Sequence, residues 1–346
     1  MDVYNFEVLG EALRDGFEDW ASVGRVRSLV EGDLVLFDYR TEALYGTDWN
    51  WFELQSRGLI MRRSTGAVVA LPFAKFFNWG EGGRISTERL SSVTEKLDGS
   101  MGVGFWDGVR WRVTTRGSFG SPQGLWATQF LKEHHDLRQL PTGLTLLFEI
   151  IFPENRVVVS YGDRQALFLI GVRDRESLAD WPWMDVQRLA EQIGFPTPRL
   201  GAFGSVNEVL ADLSDAGVDR EGWVMRFEDG VRFKVKGAAY VYLHKALSGV
   251  SFVWVLDGMR SGRIEELLAG IPDEFLGEAR GWRMDIESRV EKIEQAVEAA
   301  WAVRPVDVER AVFARWVMAT HADLAVYLFA RLDGRSVRPL VLRREF

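Results

Sequence analysis

The sequence predicts an α+β fold: mainly antiparallel sheets with flanking helices over residues 1–246, then a smaller all-α domain over 247–346. Three observations predict it. Short apolar or alternating runs rich in Val, Phe and Leu recur up to about residue 245, separated by Gly and Asp turns. Two segments read as hairpins: GFWDGVRWRV turns at Asp107-Gly108, and GWVMRFEDGVRFKVK turns at Asp229-Gly230. Beyond residue 246 the apolar period becomes helical.

The expected strands are VRSLV, LVLFDYR, AVVALPF, MGVGFW, VRWRVTTR, LTLLFEIIF, RVVVSYG and ALFLIGV. A helix is expected at 122–135, after Ser121-Pro122, and another at 184–193, ended by Gly194 and Pro196. In the C-terminal part, Ile286, Val290, Ile293, Val297 and Trp301 recur at helical spacing until Pro305 interrupts them. A second helix runs through Val312, Trp316 and Ala319, and a third from Leu324 to Leu332, closed by Gly334.

Composition bounds the chemistry. The chain has 346 residues, and its 22 Phe and 14 Trp supply ample core. It has no Cys, which removes disulfides, thiolate zinc sites and cysteine nucleophiles. The net charge of −8 opposes indiscriminate nucleic-acid binding but is compatible with a local basic groove. The N-terminus lacks a basic and apolar leader, and no run of about 18 apolar residues is evident, so a cytoplasmic protein is expected.

One segment carries chemistry. In SVTEKLDGSMGVGFW, Lys96 lies just before an Asp98-Gly99 turn that leads into a strand. Lysine is a poor nucleophile at its reference pKa, near 10.4, unless neighbouring cations or desolvation free its amine. The plain alternative is a solvated lysine beside an ordinary turn. Downstream, Glu149 and Glu221 sit in otherwise apolar strands, where carboxylates are uncommon unless paired, hydrogen-bonded or metal-bound. Lys234 and Lys236 share a strand face by the two-residue period.

Lys96-Leu97-Asp98-Gly99 matches the Lys-x-Asp-Gly signature of covalent nucleotidyltransferases, which include DNA ligases, RNA ligases and mRNA-capping enzymes. Phe148-Glu149-Ile150, Glu221-Gly222-Trp223-Val224 and Phe233-Lys234-Val235-Lys236 resemble the later motifs of that superfamily, in order. Four further segments resemble the phage RNA ligase 1 family. They are Arg57-Gly58-Leu59-Ile60-Met61, Lys75-Phe76-Phe77-Asn78, Thr115-Arg116-Gly117-Ser118 (with Arg116 where the family commonly has Lys) and Asn155-Arg156-Val157-Val158-Val159-Ser160-Tyr161. Tyr240 and His244 follow the fifth motif. The resemblance runs from about Tyr39 to His244.

The resemblance implies a nucleotidyltransferase domain and an ATP-dependent RNA ligase. Lys96 would attack the α-phosphorus of ATP, AMP would pass to an RNA 5′-phosphate, and a 3′-hydroxyl would displace it. Lys96, Glu221, Lys234 and Lys236 are the implied catalytic residues. Tyr39, Arg57, Lys75, Phe77, Glu95, Gly99, Arg116, Glu149, Lys234 and Lys236 would hold the nucleotide. Glu221, Glu149 and Asp257 would hold Mg²⁺ or Mn²⁺, which needs few protein ligands. Glu149 would accept from the ribose hydroxyls, an assignment interchangeable with that of Glu221. Tyr240 and His244 would contact RNA. Tyr39 can equally be a half-buried strand tyrosine, Arg57 and Lys75 surface cations, and Phe76 or Phe77 core. The implied partners are ATP and RNA ends, nicked tRNA among them, in a repair enzyme acting as a monomer without a membrane. Two alternatives stand beside this reading: a DNA ligase or capping-type enzyme, and a non-catalytic RNA- or nucleotide-binding protein on the ligase fold.

Overall fold

A computed structural model describes residues 3–45, 48–271 and 273–346. The chain divides into two compact units, Met1–Leu247 and Ser248–Phe346.

Among the described residues, the first unit holds three four-stranded sheets. The first has the order β1 (Val26–Glu31), β2 (Leu34–Tyr39), β3 (Arg57–Arg62), β4 (Val68–Ala70), all antiparallel. The second and third sheets use β5 (Phe77–Asn78), β6 (Leu90–Lys96), β7 (Ser100–Trp106), β8 (Trp111–Thr115), β9 (Leu144–Ile151), β10 (Ala166–Asp174), β11 (Gly222–Phe227) and β12 (Arg232–Lys236). Their orders are β10-β9-β7-β8 and β5-β12-β11-β6, and β5 joins β12 in parallel. Both expected hairpins form, β7–β8 and β11–β12, with Gly108 at φ 114° and Gly230 at φ 84°, where only glycine is unstrained.

Helices flank these sheets: α1 (Phe6–Arg14), α2 (Trp51–Gln55), α3 (Pro122–His134), α4 (Trp183–Ile193), α5 (Val206–Ser214) and α6 (Ala238–Ser248). The two helices expected here start and stop for the expected reasons. Ser121 Oγ accepts from the Gly124 N–H at the start of α3, and Gly194, at φ 77°, ends α4. Both pack on the second sheet around Phe148, Ile150 and Leu146. Helix α5, which the strand-like reading of this region missed, packs Val209 and Leu213 beneath Trp223, Met225 and Val235 of the third sheet.

One expected strand does not form. Residues 156–162 (RVVVSYG) are irregular. The N–H groups of Val158 and Val159 donate to one Asp98 carboxylate oxygen, 2.7 Å each, instead of to a neighbouring strand. A tertiary contact overrides β propensity here.

In the second unit, all regular structure among the described residues is helical: α7 (Phe252–Arg260), α8 (Ile264–Gly270), α9 (Asp273–Ala302), α10 (Arg310–Thr320), α11 (Ala325–Leu332) and α12 (Arg338–Arg344). Ile286, Val290 and Val297 form the buried stripe of α9, and Gly334 at φ 70° follows α11. One correction concerns hydropathy. The stretch Ala238–Arg260 is apolar enough to pass for a membrane span by length and composition, although Gly249 at φ 67° breaks it into α6 and α7.

Candidate active site

The third sheet builds the site by its register. Across β6, β11 and β12, three rows of side chains face one way: Lys96–Gly222–Lys236, Thr94–Val224–Lys234 and Ser92–Arg226–Arg232. The alternate residues, Val93, Trp223, Met225, Phe233 and Val235, face the core under α5. A polar row therefore lies over an apolar one, and the strand period alone separates them.

Gly222 stands between the two lysines of the first row. A β-carbon there would lie 1.9 Å from the Val235 carbonyl oxygen, and φ is 157°. Its bare backbone lets β11 and β12 pair while Glu221, one residue earlier, reaches between the amines. Glu221 Oε2 is 2.8 Å from Lys96 Nζ, and Oε1 is 2.9 Å from Lys236 Nζ. Glu221 is only 3% exposed. Burial alone would raise its carboxyl, but the charges and hydrogen bonds of Lys96 and Lys236 outweigh it and hold the group below the ordinary glutamate range. Gly222→Ala is expected to destabilise the unit by about 3 kcal/mol, because the neighbour it meets is backbone. Urea denaturation followed by circular dichroism measures this.

The second sheet supplies the opposing carboxylate. On β9, Thr145, Leu147, Glu149 and Ile151 share one face, and Glu149 pairs across with Met101 of β7. Both Glu149 and Met101 line the same pocket as Lys96. Glu149 Oε1 accepts from the Gly99 N–H at 3.0 Å. A β-carbon on Gly99 would lie 2.5 Å from the Ile150 carbonyl oxygen, so glycine here allows close packing onto β9. Burial pushes the Glu149 carboxyl up to about 7; Lys96 opposes this and the Glu221 charge adds to it.

The sign of the consequence is fixed. A carboxyl raised in the folded state binds a proton that the unfolded chain has already lost, so stability falls as pH climbs from about 4.5 to about 7. Glu149→Gln mimics the protonated form. The variant is expected to match wild type near pH 5 and to exceed it in Tm by several degrees at pH 8. Parallel thermal melts across that range check this, and a constant difference would contradict it.

The pocket is lined by Arg57, Lys75, Glu95, Lys96, Glu149, Lys234 and Lys236, all singled out from the sequence. Arg57 begins β3, and its guanidinium lies 5.2 Å over the Phe76 ring. Lys75 is 8% exposed, with its amine 5.6 Å from the rings of Tyr39 and Phe77. Glu95 lies 3.7 Å from Arg199. Arg226 and Arg232 also line the pocket; the two-residue period that joined Lys234 to Lys236 extends to Arg232. Arg226 donates to the Trp181 carbonyl at 2.6 Å and Arg232 to Asp180 Oδ1 at 3.0 Å. Together they tie the Trp181–Trp183 segment to the sheet as the apolar wall of the pocket.

Several expected residues fall elsewhere. Phe77 is not in the lining; Phe76 is, and Phe77 instead packs on Trp49 beneath Lys75 and Arg84. Tyr39, 3% exposed, and Arg116 stand behind Lys75. Arg116 donates to the Tyr39 hydroxyl at 2.7 Å and pairs with Asp38 at 3.1 Å. Asp38, which the sequence reading passed over, is a buried anchor also held by Arg27 at 2.7 Å. Tyr240 does not face outward to RNA. It is 1% exposed and its hydroxyl donates to Asp98 Oδ1 at 2.7 Å, while His244 packs edge-on against its ring. Asp257 lies on α7 in the second unit, exposed and paired with Arg260 at 3.2 Å. Among the described residues no group of three or more His, Asp or Glu side chains forms a metal cage. Glu149 and Glu221 remain the carboxylates whose oxygens suit a hard divalent ion that keeps most of its water.

Asp98 turns out to be the organiser of the nucleophile turn. Its two oxygens accept from Val158 N, Val159 N and Tyr240 Oη, and its own N–H donates to the Tyr161 hydroxyl at 2.9 Å. The signature aspartate thus fixes the backbone that carries Lys96.

Comparison with known proteins finds relatives of this chain. A protein of Thermovibrio ammonificans assigned as an RNA ligase is 30% identical over 279 residues, 75% of this chain and 71% of its own length. The RNA ligase of Rhodothermus phage RM378 is 27% identical over 186 residues, 41% of each chain. Among solved structures, a Naegleria gruberi RNA ligase mutant with ATP and Mn aligns with a TM-score of 0.39 at 22% identity, over 46% of this chain and 52% of that one. The family model for RNA ligase matches residues 55–245, more than half of the chain and the span from β3 into α6, so the chain belongs to the RNA ligase family.

Proposed function

We propose that the protein joins RNA ends at the expense of ATP, through AMP carried on Lys96. The observation that carries this reading is the pairing of Lys96 with a buried Glu221 that also holds Lys236, in a pocket walled by Arg57, Lys75 and Lys234. The Lys96 ammonium first gives one proton to solvent; attack by the neutral Nζ on the α-phosphorus then forms a P–N bond, breaks the bond to the β-phosphate oxygen with release of pyrophosphate, and gives the second proton to solvent. The cations hold the phosphates in line and offset the charge that develops in transfer.

An ammonium has no lone pair, so the Lys96–Glu221 ion pair is a resting arrangement. Glu221 orients Nζ toward the pocket, and Lys236 keeps positive charge beside it. A divalent ion, for which Glu221 and Glu149 are the fitting oxygen donors, would neutralise phosphate charge when bound. The AMP next moves to an RNA 5′-phosphate, and a 3′-hydroxyl displaces it to seal the strand.

The test offers single-stranded RNA with a 5′-phosphate, nicked duplex RNA, a nicked tRNA and nicked DNA, each with ATP or GTP and Mg²⁺ or Mn²⁺. Sealing of at least one RNA substrate with ATP is expected. Sealing of nicked DNA alone, or dependence on GTP, would overturn the polymer or nucleotide assignment.

A further inference from the structure

A second concavity shares the nucleophile turn. Lys96 and Leu97 line the nucleotide pocket, whereas Asp98 lines a separate one with Asn155, Arg156, Ser160, Tyr161 and Arg164. Lys96 and Asp98 are two residues apart, so their Cα atoms are separated by at most about 7 Å. Whatever binds in the second concavity lies against the loop that holds the nucleophile.

The chemistry of this concavity is that of an anion site. Arg156 Nε donates to the Val158 carbonyl at 3.2 Å, and the Arg164 guanidinium lies 4.4 Å over the Phe168 ring. Among the described residues neither arginine is paired with a carboxylate. Arg156 is thus held through its Nε and Arg164 through the face of its guanidinium, and among the described residues their terminal N–H groups have no protein acceptor. Arginine forks held in this way suit phosphate oxygens, because little side-chain order remains to be lost on binding. Asp98 keeps its charge, but both its oxygens are taken by three donors, so it is not the partner of either arginine. Asp163 is the remaining carboxylate in the lining. Such a pair of unpaired arginines in one hollow stands out in a chain of net charge −8.

The wall of the hollow is built rather than incidental. Asn155 is 9% exposed; its Nδ2 donates to the Ile150 carbonyl at 2.8 Å, and its Oδ1 lies 3.0 Å from Ser100 Oγ at the start of β7. The irregular 156–162 segment, anchored by Asp98, is what turns Arg156 and Ser160 into the hollow. The failed strand thus acquires a purpose: backbone that would have joined a sheet instead rims a site.

We propose that Arg156 and Arg164 bind a phosphate of the RNA strand and hold its end beside the Lys96–Gly99 turn. The inference rests on the RNA-joining reading above. The phosphate has two possible sources, the terminal 5′-phosphate and an internal backbone phosphate.

The experiment compares full-length wild type, Arg156→Ala/Arg164→Ala and Arg138→Ala, the last removing an exposed arginine paired with Asp136. Binding of a fluorescent single-stranded RNA is followed by anisotropy as a function of salt. It is run with 5′-phosphate and with 5′-hydroxyl RNA, alongside RNA sealing and ATP-dependent labelling of the protein. The double variant is expected to bind RNA at least tenfold more weakly, with the salt slope reduced by about one in log–log terms, while Arg138→Ala binds like wild type. A loss confined to 5′-phosphate RNA assigns the terminal phosphate, and an equal loss on both RNAs assigns the backbone. Unchanged RNA affinity and salt slope in the double variant would overturn the inference. Failure of wild type itself to label with ATP or seal RNA would instead overturn the functional reading, so the two failures are distinguishable.

Discussion

Glu221→Ala is expected to cost about 3 kcal/mol of stability and to slow ATP-dependent labelling of the protein roughly 100-fold. The substitution leaves Lys96 and Lys236 facing one another with no carboxylate between them, in a place where Glu221 is almost wholly buried. Removing one member of a buried charged group costs more than the group's net worth, because the remaining charges stay desolvated. The figure lies at the lower end of the usual range, since the Lys96 side chain is 22% exposed. Glu221→Gln keeps the shape and some hydrogen bonding but removes the charge, so it should recover part of the stability and little of the rate. Urea denaturation and single-turnover labelling measure the two effects separately. A Gln variant that labels at the wild-type rate would show that the charge of Glu221 has no part in positioning the amine.

Asp98→Ala is expected to have the second large effect, a loss of about 4 kcal/mol together with nearly all labelling. Two backbone N–H groups and a phenol would lose their acceptor inside the protein, and each unsatisfied buried donor costs about 1–3 kcal/mol. Tyr240→Phe removes one donor and leaves Asp98 its other two, so it should cost about 1 kcal/mol and leave RNA affinity unchanged. The comparison separates two roles for the helix α6 tyrosine. A selective loss of RNA affinity in Tyr240→Phe would restore the RNA-contacting role that the sequence suggested. Thermal melts and RNA titrations of both variants decide it.

These residues also show what a sequence discloses. Strand period placed Lys234 and Lys236 on one face, and the hairpin turn at Asp229-Gly230 fixed their register against β11. Glu149 and Glu221 were legible because a carboxylate in an apolar run needs a reason. The failures share one cause: contacts made between segments distant in sequence. Asp98 captures the N–H groups of Val158 and Val159 across sixty residues, so a run that looks like a strand does not become one. Tyr240 follows a lysine-bearing strand and looks available to substrate, yet it is the donor that completes Asp98. Adjacent Phe76 and Phe77 could not be ordered from sequence, because which of them faces the pocket depends on the parallel pairing of β5 with β12. Asp38 looked like an ordinary polar residue in a strand until Arg27 and Arg116 were seen to converge on it.

The central claim is that Lys96 is the residue that carries AMP. Purified protein incubated with ATP and Mg²⁺ or Mn²⁺, quenched, and analysed by intact mass spectrometry and peptide mapping tests it most directly. The account predicts one adenylate per chain, on the peptide containing Lys96, with none on Lys96→Ala. No adduct on the wild-type protein, or an adduct of equal yield on Lys96→Ala, would contradict it.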